Sequence, residues 1–149
     1  MENNEILEAL KKFIDQPFSE SPSPFTHWLR PIIRSVEEGK VVLEYTVRHE
    51  MTNPIYTLHG GVTAGIVDDT IGAALYTISG LEIHTTVNLS VDYFYPAREG
   101  DIVLAEAWVV KKGRQIVHIK CQITNKKTGK LLAEGRSNLI RLKPADSVK

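Results

Sequence analysis

Hydrophobic and polar positions recur along this chain with two different periods, and the point where one gives way to the other marks its organisation. Residues 4–15 carry Ile6, Leu7, Leu10, Phe13 and Ile14 at helical spacing, which predicts an amphipathic helix. The stretch QPFSESPSP (16–24), with three prolines and three serines, predicts a surface loop. Strands are predicted around 28–36 and 40–48, with EEGK as the hairpin turn between them. In the second, Val41, Leu43, Tyr45 and Val47 share one face, while Val42, Glu44 and Thr46 take the other. The turn-rich HEMTNPIYTL leads into one long helix over 60–79. After Ser79-Gly80 the period falls to two residues. Strands over 83–95, 101–112, 115–125 and 130–142, joined by short glycine-bearing segments, predict an antiparallel meander. The order of helix, two strands, long helix and four strands is that of an α+β fold, with helix segregated to one face of an antiparallel sheet.

Length and charge narrow the possibilities. A chain of 149 residues supports one domain with a real core. The expected division is an N-terminal helix and linker (1–25), the main domain (26–143) and a frayed tail (144–149). Lys plus Arg and Asp plus Glu each total 18, so no global field favours nucleic acid or an anionic membrane. The single cysteine, Cys121, excludes an intrachain disulfide and reads as a small buried apolar residue. The opening MENNEILEALKKF has acids where a signal peptide would be basic, and no uncharged run is apolar and long enough to span a bilayer. These features predict a soluble cytoplasmic protein with neither nucleic acid nor membrane as partner. His27, His49, His59, His84 and His118 show no ligand-like clustering, so no metal and no cofactor are expected.

The long helix carries the candidate chemistry. Between Met51 and Leu81 the only Asp, Glu, Lys or Arg residues are Asp68 and Asp69. A carboxylate on an apolar helix is costly unless hydrogen-bonded, paired or neutralised. At about 100° per residue, Asp68 lies over Gly61, Ala64, Gly65 and then Ile71, Gly72 and Leu75, a face lean enough to form one wall of a cleft. Asp69, one step round, reads as structural or solvated. At the helix start, HGG leaves the first N–H groups bare, a site where an oxyanion on an acyl carbonyl could bind. Taken alone, Gly60-Gly61 also reads as a plain turn, and His59 as a structural histidine of its own loop. His59 and Asp68 lie roughly 13 Å apart along the axis, so one helix cannot offer both ends to one carbonyl. Two helices related by a two-fold axis can, which would make the protein at least a dimer.

The pattern N-x5-HGG-x6-D on a loop entering a central helix, with the trailing TNKKTGKLLAEG hairpin, resembles the hotdog-fold acyl-CoA thioesterases. The similarity is to their PaaI-like branch, and it covers roughly residues 26–143. It implies an antiparallel sheet wrapped around one long central helix, a homodimer or a dimer of dimers, and an acyl-CoA substrate. By position, Asp68 matches the catalytic carboxylate, the Gly60 N–H the oxyanion donor, His59 the residue orienting that loop, and Asn53 the residue placing the water. Thr86 falls where relatives carry Ser or Thr near the acid. Gly61 and Tyr56 fall on the substrate path. Several relatives carry Gly at the position of Tyr56, so its ring would reshape the tunnel. Lys111, Lys112, Arg114 and Arg136 are candidates for the anionic end of coenzyme A. A non-catalytic acyl-CoA binding module and a hotdog hydratase or dehydratase are the alternative readings.

Overall fold

The computed structural model describes residues 3–143, and the tail expected to fray, 144–149, lies outside them. Helix α1 (Asn3–Lys11) is shorter than its apolar periodicity, because residues 12–15 leave it as turns ending at Asp15 with φ +65°. Its Ile6 and Leu10 are buried in the common core. A second helix, α2 (Pro24–Leu29), stands where the sequence predicts loop and the start of a strand. Proline occupies its first turn, where its missing N–H costs nothing, and the Ser23 side chain caps the Thr26 N–H at 3.3 Å.

Strands β1 (Ile32–Glu37) and β2 (Lys40–Thr46) form the expected hairpin, turned by Gly39 at φ +74°. The 3-10 turn His49–Met51 opens the loop before the long helix α3 (Gly60–Ser79). Strands β3 (His84–Tyr93), β4 (Ile102–Lys112), β5 (Ile116–Asn125) and β6 (Leu131–Arg141) complete the chain. All pairings are antiparallel, in the order β1-β2-β4-β5-β6-β3.

Only part of the expected meander is present. β4, β5 and β6 follow one another, but β3 crosses to the far side and pairs with β6, leaving β4 beside β2. This order encloses α3. Ile66, Val67, Ile71 and Ala74 on its inner face are fully buried against inward residues of the sheet, among them Leu43, Ala105, Ile119 and Ile123. Sheet and helix approach closely at Gly135 of β6, where a Cβ would overlap the Val67 side chain. Cys121 faces this core, and burial pushes its thiol pKa up, which makes it an inert packing residue. No helix among the described residues is long and apolar enough to cross a membrane.

Candidate active site

The loop entering α3 is organised by Asn53. Its Oδ1 accepts from the N–H groups of Ile55 and Thr57, each at 3.1 Å, and its Nδ2 donates to Thr57 Oγ1 at 2.7 Å. Asparagine is suited to this because its short amide imitates a turn of backbone. The loop is then tied down by Leu58 N–H to Ala97 O (2.8 Å) and His59 N–H to Met51 O (2.9 Å). Tyr56 sits in it at φ +61°, a left-handed conformation that glycine adopts without cost. The Tyr56 ring is exposed and leans toward His49, with centroids 6.1 Å apart.

His59 is the N-cap of α3. Its Nδ1 accepts from the Gly61 N–H at 2.9 Å, which places the ring proton on Nε2, and its carbonyl accepts from the Thr63 N–H at 2.9 Å. The histidine therefore orients the loop and satisfies one of the free donors of the first turn. The Gly60 N–H donates to no acceptor among the described residues. Gly60 lines a cleft of about 270 Å³ together with Leu58, Thr63, Tyr93 and Ala97. Tyr93 is the residue that sequence reasoning missed. Its hydroxyl donates to the Gly60 carbonyl at 2.6 Å, fixing the peptide that follows the one carrying the free N–H. The apolar-aromatic run that ends β3 gives no hint of that bond.

Asp68 lies further along the same helix and is half-buried. Its Oδ1 accepts from Thr86 Oγ1 on β3 at 3.1 Å, so the structure joins the two residues expected to be neighbours. Among the described residues Asp68 has no cationic partner. It opens on a separate cleft of about 350 Å³ between α2 and α3. Asp69 lines the same cleft, but its carboxylate is taken up by hydroxyls. It accepts from the Thr26 hydroxyl of α2 and, at 2.9 Å, from the hydroxyl of the fully buried Tyr45. Burial raises its pKa, against those two hydrogen bonds and with the nearby Asp68 charge adding to the rise. The pair of acids is thus divided between an open carboxylate and a structural one.

Gly60 and Asp68 are not brought together within one chain. Eight residues of helix separate them, about 12 Å at the ordinary rise. Nor do the candidate cations gather at either cleft. Lys112 Nζ donates to the Ile78 carbonyl at 2.9 Å, at the opposite, C-terminal end of α3. Arg114 lines a broad basic depression with Lys111 and Arg141, and Arg136 lines a polar groove with Lys120 and Glu134.

A family model described as the thioesterase superfamily matches residues 56–132, a span that takes in the N-cap histidine, the bare Gly60 N–H, Asp68 and Thr86. The chain belongs to the thioesterase superfamily. It is similar to human acyl-coenzyme A thioesterase 13, with 39% identity over 102 residues, 68% of this chain and 73% of that one. Among solved structures it is similar to zebrafish thioesterase superfamily member 2, with TM-score 0.75, 29% identity, and coverage of 96% of this chain and 99% of that one. The E. coli PaaI protein of the phenylacetic acid degradation operon shares the fold, with TM-score 0.78, 22% identity, and coverage of 95% and 94%. The antiparallel sheet around one central helix is accordingly the hotdog fold of a PaaI-like thioesterase.

Proposed function

We propose that this thioesterase hydrolyses acyl-CoA thioesters to the free acid and coenzyme A, at sites each built by two copies of the chain. The observation that carries the reading is the division of labour along α3, with a bare N–H at its start and a Thr86-braced carboxylate about 12 Å away. The Gly60 N–H receives the carbonyl oxygen and stabilises the negative charge that develops on it. Asp68 of the other copy removes a proton from water, whose oxygen attacks the carbonyl carbon. As the C–S bond breaks, the coenzyme A sulfur leaves and takes the proton back from Asp68. In the other route the Asp68 carboxylate attacks the carbonyl carbon and expels the coenzyme A thiolate, and water then hydrolyses the mixed anhydride, giving the free acid, the regenerated carboxylate and a proton for the thiolate.

The dimer is supported by β3, an edge strand with no buried residue, whose outer edge meets no other strand among the described residues. Val87, Tyr93, Phe94 and Tyr95 on and beside it are exposed. A long bare edge invites pairing with another copy, and two-fold pairing there would bring each copy's Thr86 and Asp68 toward the other. A dimer of dimers is compatible with the same pairing. Asn53, which holds the loop, also supplies the position from which the attacking water is placed. Gly61 and Tyr56 stand on the substrate path, and the cationic depression around Arg114 is a candidate for the anionic end of coenzyme A, with Lys112 and Arg136 as further candidates that, like Arg114, line neither cleft. The compartment is read as the cytoplasm, from the single cysteine, which is a buried free thiol.

A thiol-release assay across short, medium, long and aromatic acyl-CoAs tests the reading. Release of coenzyme A that is lost in Asp68→Asn is expected. Binding without release would leave a non-catalytic acyl-CoA module, and hydration of an enoyl-CoA would point to the hydratase alternative.

A further inference from the structure

Two side chains of strand β3 reach the two candidate groups of α3. Thr86 donates to the Asp68 carboxylate at 3.1 Å, and Tyr93 donates to the Gly60 carbonyl at 2.6 Å. Simple alternation would not allow this, because positions seven apart on a regular strand face opposite sides. The register with β6 resolves it. Tyr93, Val91 and Leu89 pair with Ala133, Gly135 and Ser137, and Thr86 then pairs with Leu139, so one extra residue, Val87, bulges from the ladder between Thr86 and Asn88. Ala133, Ser137 and Leu139 are all buried. The bulge therefore returns Thr86 to the face that carries Tyr93.

At Gly60 the Tyr93 hydroxyl completes a set of restraints on two successive peptides. The first runs from His59 to Gly60. Its carbonyl accepts from the Thr63 N–H at 2.9 Å and from the Thr63 hydroxyl at 3.2 Å, and its N–H is the bare donor. The second runs from Gly60 to Gly61. Its N–H donates to His59 Nδ1 at 2.9 Å, and its carbonyl accepts from Tyr93. The two planes swivel about the Gly60 Cα, which has no Cβ to restrict it. The Tyr93 ring stands in place of that restriction, since a Cβ on Gly60 would lie 3.7 Å from its Cε1, its Cζ and its hydroxyl oxygen. The ring is exposed, so water is available to the hydroxyl, yet the hydroxyl is engaged by this peptide. Hydrogen bonds at both ends of one amide also polarise it and strengthen each other.

We infer that Tyr93 is a positioning residue for thioester hydrolysis, whose hydroxyl and ring hold the Gly60 hinge so that the bare N–H keeps one direction as charge develops on the carbonyl oxygen. The inference rests on the acyl-CoA reading of the site and adds a residue that acts through Gly60. It makes β3 the element that sets both halves of the machinery, with Thr86 bracing the carboxylate and Tyr93 bracing the N–H.

Tyr93→Phe keeps the ring and removes the hydroxyl. Losing an oxyanion donor outright costs about 100-fold or more in kcat, so a loosened donor should cost less, about tenfold, with KM changed less than about twofold. Thermal midpoint and native mass should change little. In double-mutant cycles His59→Ala should add little to the effect of Tyr93→Phe, since both act on the Gly60–Gly61 peptide, whereas Thr86→Ala, at the carboxylate, should multiply it. The hinge is read without turnover by amide NMR relaxation. The order parameter of Gly60 should fall in Tyr93→Phe, while that of Gly72, on the same helix, should not move. Wild-type kcat in Tyr93→Phe, or a loss confined to KM or matched by a loss of native mass, would overturn the inference, and so would unchanged order at Gly60 whatever the kinetics. If wild type releases no thiol from any acyl-CoA, hydrolysis fails as a function, and the relaxation measurement alone decides whether Tyr93 holds the hinge.

Discussion

At the scale of single residues, neighbours in sequence divide by the side chains they meet. Asp68 faces Thr86 and an open cleft, whereas Asp69 faces two hydroxyls inside the fold. Asp68→Asn should keep the fold and lose most thioester hydrolysis, since the amide can neither take a proton nor attack. Asp69→Asn should spare kcat far more, and equal losses in a steady-state assay would contradict the assignment. Stability separates the two acids independently. The folded-state pKa of Asp69 is raised by burial, so its contribution is fully present below the usual aspartate value and is lost as pH rises through the raised one. Asp69→Asn removes that loss, and its urea midpoint should gain on wild type as pH rises above the usual aspartate value. A difference that stays constant over this range would refute the argument. Tyr56 offers a third case. Its φ of +61° costs an L-residue about 1 kcal/mol, while glycine adds a comparable unfolded-state entropy. Tyr56→Gly should therefore leave denaturant stability nearly unchanged, and a large loss would show that the exposed ring carries packing energy.

At the scale of elements, legibility followed period and punctuation. The 60–79 helix emerged within a residue of its bounds because the small and apolar residues and the flanking glycines agree with one another. Helix α2 was obscured by its prolines. SPSP reads as loop by composition, yet Ser23 followed by Pro24 is also a cap and a first helical position, and packing on α3 decided between the two. The β3–β6 pairing leaves no mark in a single chain, because alternation fixes which face of a strand is buried but not which strand lies beside it. Thr26 and Tyr93 escaped notice for the same reason, as each acts through a partner far away in sequence. The contact of β6 with α3 yields its own prediction. Gly135→Ala places a methyl against Val67 between two elements that are both pinned, and should cost about 1–3 kcal/mol in denaturant unfolding. A neutral result would mean that the sheet can move off the helix without penalty.

At the scale of the whole molecule, the outer face of the sheet buries the charge of Glu44, held by Arg34 at 2.8 Å and Lys126 at 2.8 Å. The Arg34 hydrogen bond, joined by Lys126, keeps the Glu44 pKa below the usual glutamate value despite desolvation. Its stabilisation is present above that usual value and is lost as pH falls through the lowered one. Global stability should decline below about pH 4, and Glu44→Gln should flatten that decline in a pH series of thermal midpoints.

In the proposed reaction each working site joins the Gly60 end of one chain to Asp68 of another, and subunit mixing is the decisive experiment. Gly60→Pro removes the proposed oxyanion N–H at a position that admits proline. Gly60 is the first helical residue, His59 before it is extended at φ −60° and ψ 135°, and a Cβ would meet the Tyr93 ring only at an ordinary 3.7 Å. Gly60→Pro and Asp68→Asn should each be inactive alone. After complete exchange of a 1:1 mixture, verified by native mass spectrometry, activity should return to about a quarter of wild type, because half of the dimers then hold one intact site of two. Activity that stays at background in a fully exchanged mixture would contradict a site shared between chains.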